Sequence, residues 1–295
     1  MKNYLKYKDE IGGFTDVLET VKTVEKIAAS SIHTLKAQVK ILGEYKTELS
    51  SILKRLLLYT GDTAHPLLQK KTAGKKALLV IGGEKGLVGP LHRQLVSTCM
   101  ANAGDYDLFY ALGKKIAGLL TEEGLEIKQK FGHESELPTS QDVETCTNYF
   151  FDAFKKGEFV KLDIIFPSFV SLSVQETISI QFLPFTFNVK KLDGAEAGSE
   201  KAAPEEPEKP EGLPIFEPDA GQIFRWLLER YIGIFFHEII MEAKLSELAA
   251  RTVSMENASG KARQFIRKLK LVFLKERKKA ATQKQLESFI VHKLA

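Results

Sequence analysis

Between Thr15 and about Tyr59, apolar or small residues recur at Val17, Val21, Val24, Ala28, Ser31, Leu35, Val39, Leu42, Tyr45, Leu49, Ile52 and Leu56, in steps of three or four. No proline interrupts the run. A stripe sustained this long predicts one extended helix with a coiled-coil seam rather than a short bundle helix. About 45 residues at ~1.5 Å each give a rod of roughly 65 Å, longer than a small domain is wide. Gly61 and Pro66 supply the stop signals at its end.

The period then changes. KALLVI (Lys76 to Ile81) reads as a short buried strand, GGEKGLVGP as a glycine-rich turn, and LHRQLVSTCMANAG as a helix. YDLFYAL, GKKIAGLLTEEG, EIKQKF, Ser140 to Lys156 and KLDIIFP continue strand, helix, strand, helix, strand. Such alternation predicts a small α/β sheet of Rossmann-like character. Ser171 to Phe187 alternates polar and apolar residues, as an antiparallel strand or hairpin at the sheet edge would.

From Lys190 to Gly212 the chain is rich in Pro, Glu, Ala and Lys and nearly devoid of apolar residues. That composition cannot build a core and predicts a flexible acidic linker. After Pro218 a second helical stripe runs through Ile223, Leu227, Tyr231, Phe235, Ile239, Leu245, Ala249, Val253, Ala262, Ile266, Leu269, Phe273, Leu286 and Ile290, with Ser259 and Gly260 as the place for a bend. Neither long helix can bury its stripe alone, so antiparallel pairing is the economical arrangement. The resulting fold class is α/β with a long antiparallel coiled coil. Its parts are an N-terminal helix (1–62), a small α/β foot (63–189), a linker (190–216) and a C-terminal helix (217–295).

Composition narrows the function. The 295 residues, 44% hydrophobic and 27% charged, are those of a water-soluble fold, and no apolar run reaches the roughly 18 residues a direct membrane span needs. The N-terminus has neither a signal-peptide apolar run nor the acid-poor character of a transit peptide, which leads to an expectation of cytoplasmic retention. Cys99 and Cys146 are the only cysteines, and they read as small core residues. Net charge is only +4, but Lys261 to Lys279 holds nine Lys or Arg against one acid. A basic face without an aromatic platform suits a solvated surface or an acidic protein partner better than nucleic acid. The turn at Gly82 to Gly89 matches neither G-x-G-x-x-G nor the P-loop spacing and reads as structural. The six histidines show no metal-ligand spacing, and no nucleophile, base and acid set can be assembled. The expectation is a non-catalytic chain without cofactor or metal.

Met241 to Ala262, MEAKLSELAARTVSMENASGKA, matches an E-x-K-x-S-E-x-A-A-R-x-x-A-M-x-N-A-[TS] pattern at Glu242, Lys244, Ser246, Glu247, Ala249, Ala250, Arg251, Met255, Asn257, Ala258 and Ser259. ALLVIGGEKGLVGPL is similar to a strand and S-D-R-G-L-C-G-G-L turn, keeping Gly86, Leu87, Gly89 and Leu91; VEKIAASSIHTLKAQV keeps the Ala28, Ala29, Ser30 of a third block. In these blocks, which span nearly the whole chain, the sequence resembles the gamma subunits of F-type ATP synthases, as a divergent bacterial-type member. The resemblance implies a central rotor shaft that couples ion-driven ring rotation to conformational change in a hexamer of alpha and beta subunits. It further implies an epsilon subunit and a c-subunit ring as partners, and a peripheral position on the cytoplasmic side of the inner membrane. The expected seam contains Ala28, Ala29, Ser30, Leu35, Arg251, Met255, Asn257, Ala262, Ile266 and Leu269, and pairing of the two stripes is expected to set Val24, Ala28 and Leu35 against the stretch from about Ala262 to Phe273. The resemblance implies hexamer contacts at Lys275, Arg277, Thr282 and Gln283 in the tail and at Glu84 and Lys85 in the turn. The alternative is a gamma-like shaft in a specialised ATPase that does not carry out ion-coupled synthesis.

Overall fold

The computed structural model describes residues 3–57, 59–60, 65–71, 73–133, 135, 137–186 and 216–294. Helix α1 (Asn3–Leu57) leads, through a 3-10 turn (Pro66–Leu68), into the order β1 (Lys76–Ile81), α2 (Leu91–Asn102), β2 (Leu108–Leu112), α3 (Lys114–Glu122), β3 (Ile127–Phe131), α4 (Ser140–Lys156), β4 (Lys161–Phe169), β5 (Gln175–Leu183) and α5 (Ala220–Leu294). The segment read as a linker, 190–216, lies outside the described residues apart from Phe216. That residue's ring sits 5.4 Å from Tyr59.

The sheet order is β3-β2-β1-β4-β5, with β3, β2, β1 and β4 parallel and β5 antiparallel to β4 at one edge. Central strand β1 shows why the sequence reads as an unbroken apolar run. Ala77, Leu79 and Ile81 enter one core with α4 and the bases of α1 and α5, while Leu78 and Val80 enter a second core beneath α2 and α3. Both faces are covered, as a parallel sheet requires. Cys99 lies in the second core and Cys146 in the first; burial raises both thiols, Cys99 to about 11 and Cys146 further. Helix α4 is set by a full capping box between Thr139 and Asp142 and is closed by Gly157 at φ 80°.

The two long helices run antiparallel, with Tyr4 against Phe273 and Phe14 stacked on Phe265. Helix α1 begins well before Thr15 and continues through Gly12 and Gly13, because pairing with α5 outweighs the weak helix propensity of glycine there. Helix α5 stays helical through Ser259 and Gly260.

The register departs from the sequence expectation. Ala28, Ile32 and Leu35 pack with Met241, Leu245, Leu248 and Ala249, not with Ala262 to Phe273, an offset of roughly 30 Å along the rod at ~1.5 Å per residue. A repeating stripe satisfies many alignments. Here the choice is made at the base, where Leu49, Leu53 and Leu56 share one core with Phe224, Leu227 and Leu228. Ala28 is 1% exposed in this seam. Ala28→Leu is therefore expected to cost about 1–3 kcal/mol by overpacking, read as a lowered denaturation midpoint.

Candidate functional site

Beyond their C-terminal ends the parallel neighbours β1 and β4 lead in opposite directions across the sheet, β1 through α2 to β2 and β4 directly to β5, so a crevice opens between them. In doubly wound sheets this is where ligands bind. In this chain the crevice is filled by α5, whose residues at positions 242, 244, 247 and 251 reach both strand ends.

On the β4 side, the Glu242 carboxylate accepts hydrogen bonds from Ser168 Oγ and, at 3.4 Å, from the Phe169 N–H. On the β1 side, Lys244, Glu247 and Arg251 follow at spacings of three and four, which places them on one face of the helix. They are 6%, 3% and 4% exposed. Lys244 Nζ donates to Glu247 Oε2 at 3.0 Å, and the Arg251 guanidinium donates to Glu247 Oε1. Arg251 Nε and Nη2 also reach the Gly86 carbonyl at 3.4 Å, and Nη2 lies 3.5 Å from the Lys85 carbonyl. A desolvated carboxylate is thus held between two cations, and one of those cations clamps the glycine-rich turn.

The turn is shaped to receive them. A Cβ at Gly83 would stand 2.7 Å from His92 Nε2 and 2.8 Å from Glu247 Oε1, so no side chain fits there. The Gly83 N–H donates to His92 Nε2 at 3.1 Å. Burial lowers the His92 pKa; nearby Glu247 pulls it up, and Arg251 and Lys115 push it down. Glu84 points the other way, accepting from Lys114 N at 2.9 Å at the start of α3 and from His133 N at 3.0 Å beyond β3. Negative charge at a helix N-terminus is favourable. The chain's own carboxylates therefore fill the places where an anionic ligand would sit, which gives the turn a structural role.

At the base, His65 is buried with Nδ1 accepting from Leu67 N at 3.2 Å and Nε2 lying 3.2 Å from Glu229 Oε1, to which Lys155 donates at 2.7 Å. Just above the base, Lys46 meets Glu238 at 2.6 Å. These pairs tie α5 to the segment after α1, to α4 and to α1 itself.

The other residues named from the sequence fall in different places. Ala28, Leu35, Met255 and Ala262 are buried in or along the seam, and Ile266 and Leu269 are half-buried. Ala29, Ser30 and Asn257 are exposed and lie outside it, because neighbouring helical positions turn about 100° from one another and cannot share a face. Arg251 belongs to the turn clamp rather than to the helix–helix seam. Lys275, Arg277, Thr282 and Gln283 all lie exposed on α5 past the Tyr4–Phe273 contact. There Thr282 Oγ1 donates to the Lys278 carbonyl at 3.1 Å, and Gln283 Nε2 donates to Glu287 at 3.3 Å. Leu286, Phe289 and Ile290 are exposed on the same stretch. Lys85 is exposed at the outside of the turn, beside Leu87 at φ 67°. Sequence reasoning missed the docking of Glu242 and Glu247, and it missed His92 and His65. The available signal was charge inside an otherwise apolar stretch, Ile239 to Ala250, where a solvated face is not expected.

Among the described residues, no helix is long and apolar enough to cross a membrane, and no group of three His, Cys, Asp or Glu could hold a metal ion. A protein-family model described as ATP synthase matches residues 3–287. The ATP synthase gamma chain of Protochlamydia amoebophila is 27% identical over 97% of this chain and 97% of its own length. That of Synechococcus sp. (strain JA-3-3Ab) is 26% identical over 97% and 98%. Among solved structures, a chain of the Euglena gracilis mitochondrial ATP synthase rotor shares the fold with a TM-score of 0.62 at 15% identity, covering 95% of this chain and 99% of that one. A chain of the Tetrahymena thermophila central stalk and c-ring does so with a TM-score of 0.55 at 18% identity, covering 81% and 99%.

Proposed function

The chain belongs to the gamma family of ATP synthases, and from that premise we propose that it is the central rotor shaft of such a complex, turning inside an alpha/beta hexamer on a c-subunit ring beside an epsilon subunit. The observation that carries this reading is mechanical. Helix α5 spans 75 residues, roughly 110 Å at ~1.5 Å per residue, and is braced by α1 and clamped to the α/β foot across the β1–β4 crevice. A rod without rotational symmetry presents a different side to each surrounding subunit as it turns. It can shift a neighbouring site only by the difference in its interaction free energy with that site's conformations, so the shaft acts as a moving ligand and carries out no chemistry of its own.

The membrane association is peripheral, and we assign the chain to the cytoplasmic side of the inner membrane, where the foot meets the ring. Lys275, Arg277, Thr282 and Gln283 are the tail contacts to the hexamer. Their exposure beyond the paired region supports this, as does the cationic run Lys261 to Lys279, which is attracted to successive acidic loops without being locked to any one. Lys85 contacts the hexamer from the turn, while Glu84 acts indirectly by holding the turn in place.

Affinity purification of the tagged chain from its native membranes tests the assembly. Alpha, beta, epsilon and ring subunits are expected to come down with it, and recovery of the chain alone would overturn the reading. In the reconstituted complex, Arg277→Ala is expected to lower coupled synthesis several-fold while leaving the chain's circular dichroism unchanged. Wild-type turnover at every salt concentration would remove Arg277 from the contact set.

A further inference from the structure

The clamp between turn and shaft contains an imidazole. His92 projects from the first turn of α2 into the crevice, and its Nε2 accepts the Gly83 N–H at 3.1 Å. Only an unprotonated Nε2 can accept that bond. Glu247 Oε1 lies on the same side of that glycine, since a Cβ there would touch both groups. The charged groups around the ring come from every element packed there. Glu247 and Arg251 descend from α5, with Lys244 on the far side of the carboxylate. Lys115 approaches from α3, Glu84 and Lys85 flank the site in the turn, and Arg93 follows on α2 but is exposed.

We propose that His92 is an acid-sensitive pin, which when neutral holds the glycine-rich turn to α2 in the position where Arg251 of the shaft grips it, and when protonated releases it. The protonated ring carries N–H donors on both nitrogens and loses the Gly83 bond. Its natural acceptor is then Glu247, which already serves Lys244 and Arg251. Drawing that carboxylate toward the imidazolium weakens the hold of Arg251 on the carbonyls of Lys85 and Gly86. The domain cores do not depend on this bond, so the response is local.

The sign follows from the environment. Burial is the largest influence on His92 and lowers its pKa in the folded chain, with Arg251 and Lys115 acting in the same direction and Glu247 opposing them. The pinned state is therefore fully present above the ordinary histidine range and is lost as pH falls below it.

Hydrogen exchange on the full-length chain, corrected for the intrinsic pH dependence of the rate, tests the pin. Between about pH 7.5 and about pH 5, protection in peptides covering 82–91 is expected to fall by about tenfold per pH unit once the ring titrates, while peptides from β1 and β4 keep theirs. His92→Gln places a non-titrating oxygen near the position of Nε2 and is expected to show a flat profile. If that variant does not fold, His92→Asn, which is too short to reach Gly83, is expected to leave the turn fast-exchanging at both ends of the range. A flat wild-type profile, the same decline in His92→Gln, full protection in His92→Asn, or simultaneous loss across β1 and β4 would each overturn the proposal.

Discussion

Glu247→Ala is expected to destabilise the chain by about 3–5 kcal/mol, the cost of removing one partner from a buried ion pair. The carboxylate is 3% exposed and receives Lys244 on one oxygen and Arg251 on the other. Without it, two buried cations remain close together in a crevice that water does not reach, and the repulsion between them adds to the lost attraction. The turn suffers as well, because Arg251 is oriented toward the Gly86 carbonyl by the same carboxylate. Chemical denaturation followed by circular dichroism is the measurement. Glu247→Gln, which keeps the shape and one acceptor, is expected to fall between wild type and the alanine variant. A loss under about 1 kcal/mol for Glu247→Ala would mean that the triad relaxes into solvent and that the crevice is not the clamp described above.

Phe150→Ala is expected to cost a similar amount, about 3–5 kcal/mol, through an unrelated mechanism. Phe150 on α4 is fully buried, and its ring lies 5.2 Å from Tyr110, 5.4 Å from Phe131, 5.5 Å from Tyr149 and 6.2 Å from Phe236. Deletion leaves a cavity lined by stiff aromatic side chains that cannot collapse into it, and it also removes edge-to-face contacts. Through Phe236 the loss loosens α4 from α5, so the thermal transition should both drop and broaden. Phe289→Ala is the matched control: that ring is 75% exposed, and its truncation is expected to leave the midpoint of the free chain unchanged.

The elements of the fold were legible because each rests on local periodicity. The strands Lys76–Ile81 and Lys161–Phe169 are apolar on both faces, the edge strand Gln175–Leu183 alternates, and α1 and α5 carry long stripes. Register was not legible. Shifting one striped helix along another changes few local preferences, and the alignment of Ala28 with Met241 to Ala249 is fixed far away, where Leu53 and Phe224 meet in the foot. The buried charges were hidden for a related reason. Lys244, Glu247 and Arg251 are out of place in a mostly apolar stretch, but the β1–β4 crevice that closes over this part of the helix is built from segments 74 and 165 residues earlier. Glu84 shows the converse. Next to Lys85 in an exposed-looking turn it reads as a contact for a partner, whereas its carboxylate is bound to the backbone of Lys114 and His133.

The placement of the two cysteines makes the native chain a background for site-specific labelling. Cys99 and Cys146 are covered by core side chains, and burial keeps both as thiols, with Cys99 pushed up to about 11. Maleimides and disulfide reagents attack the thiolate, so neither native position competes for them while the chain is folded. A cysteine introduced at an exposed tail position such as Phe289 would then carry a fluorophore or cross-linker alone, without prior removal of the native pair and the cavities that removal would leave. The tip of α5 can thus be tracked in real time on a chain that differs from the natural one by a single residue.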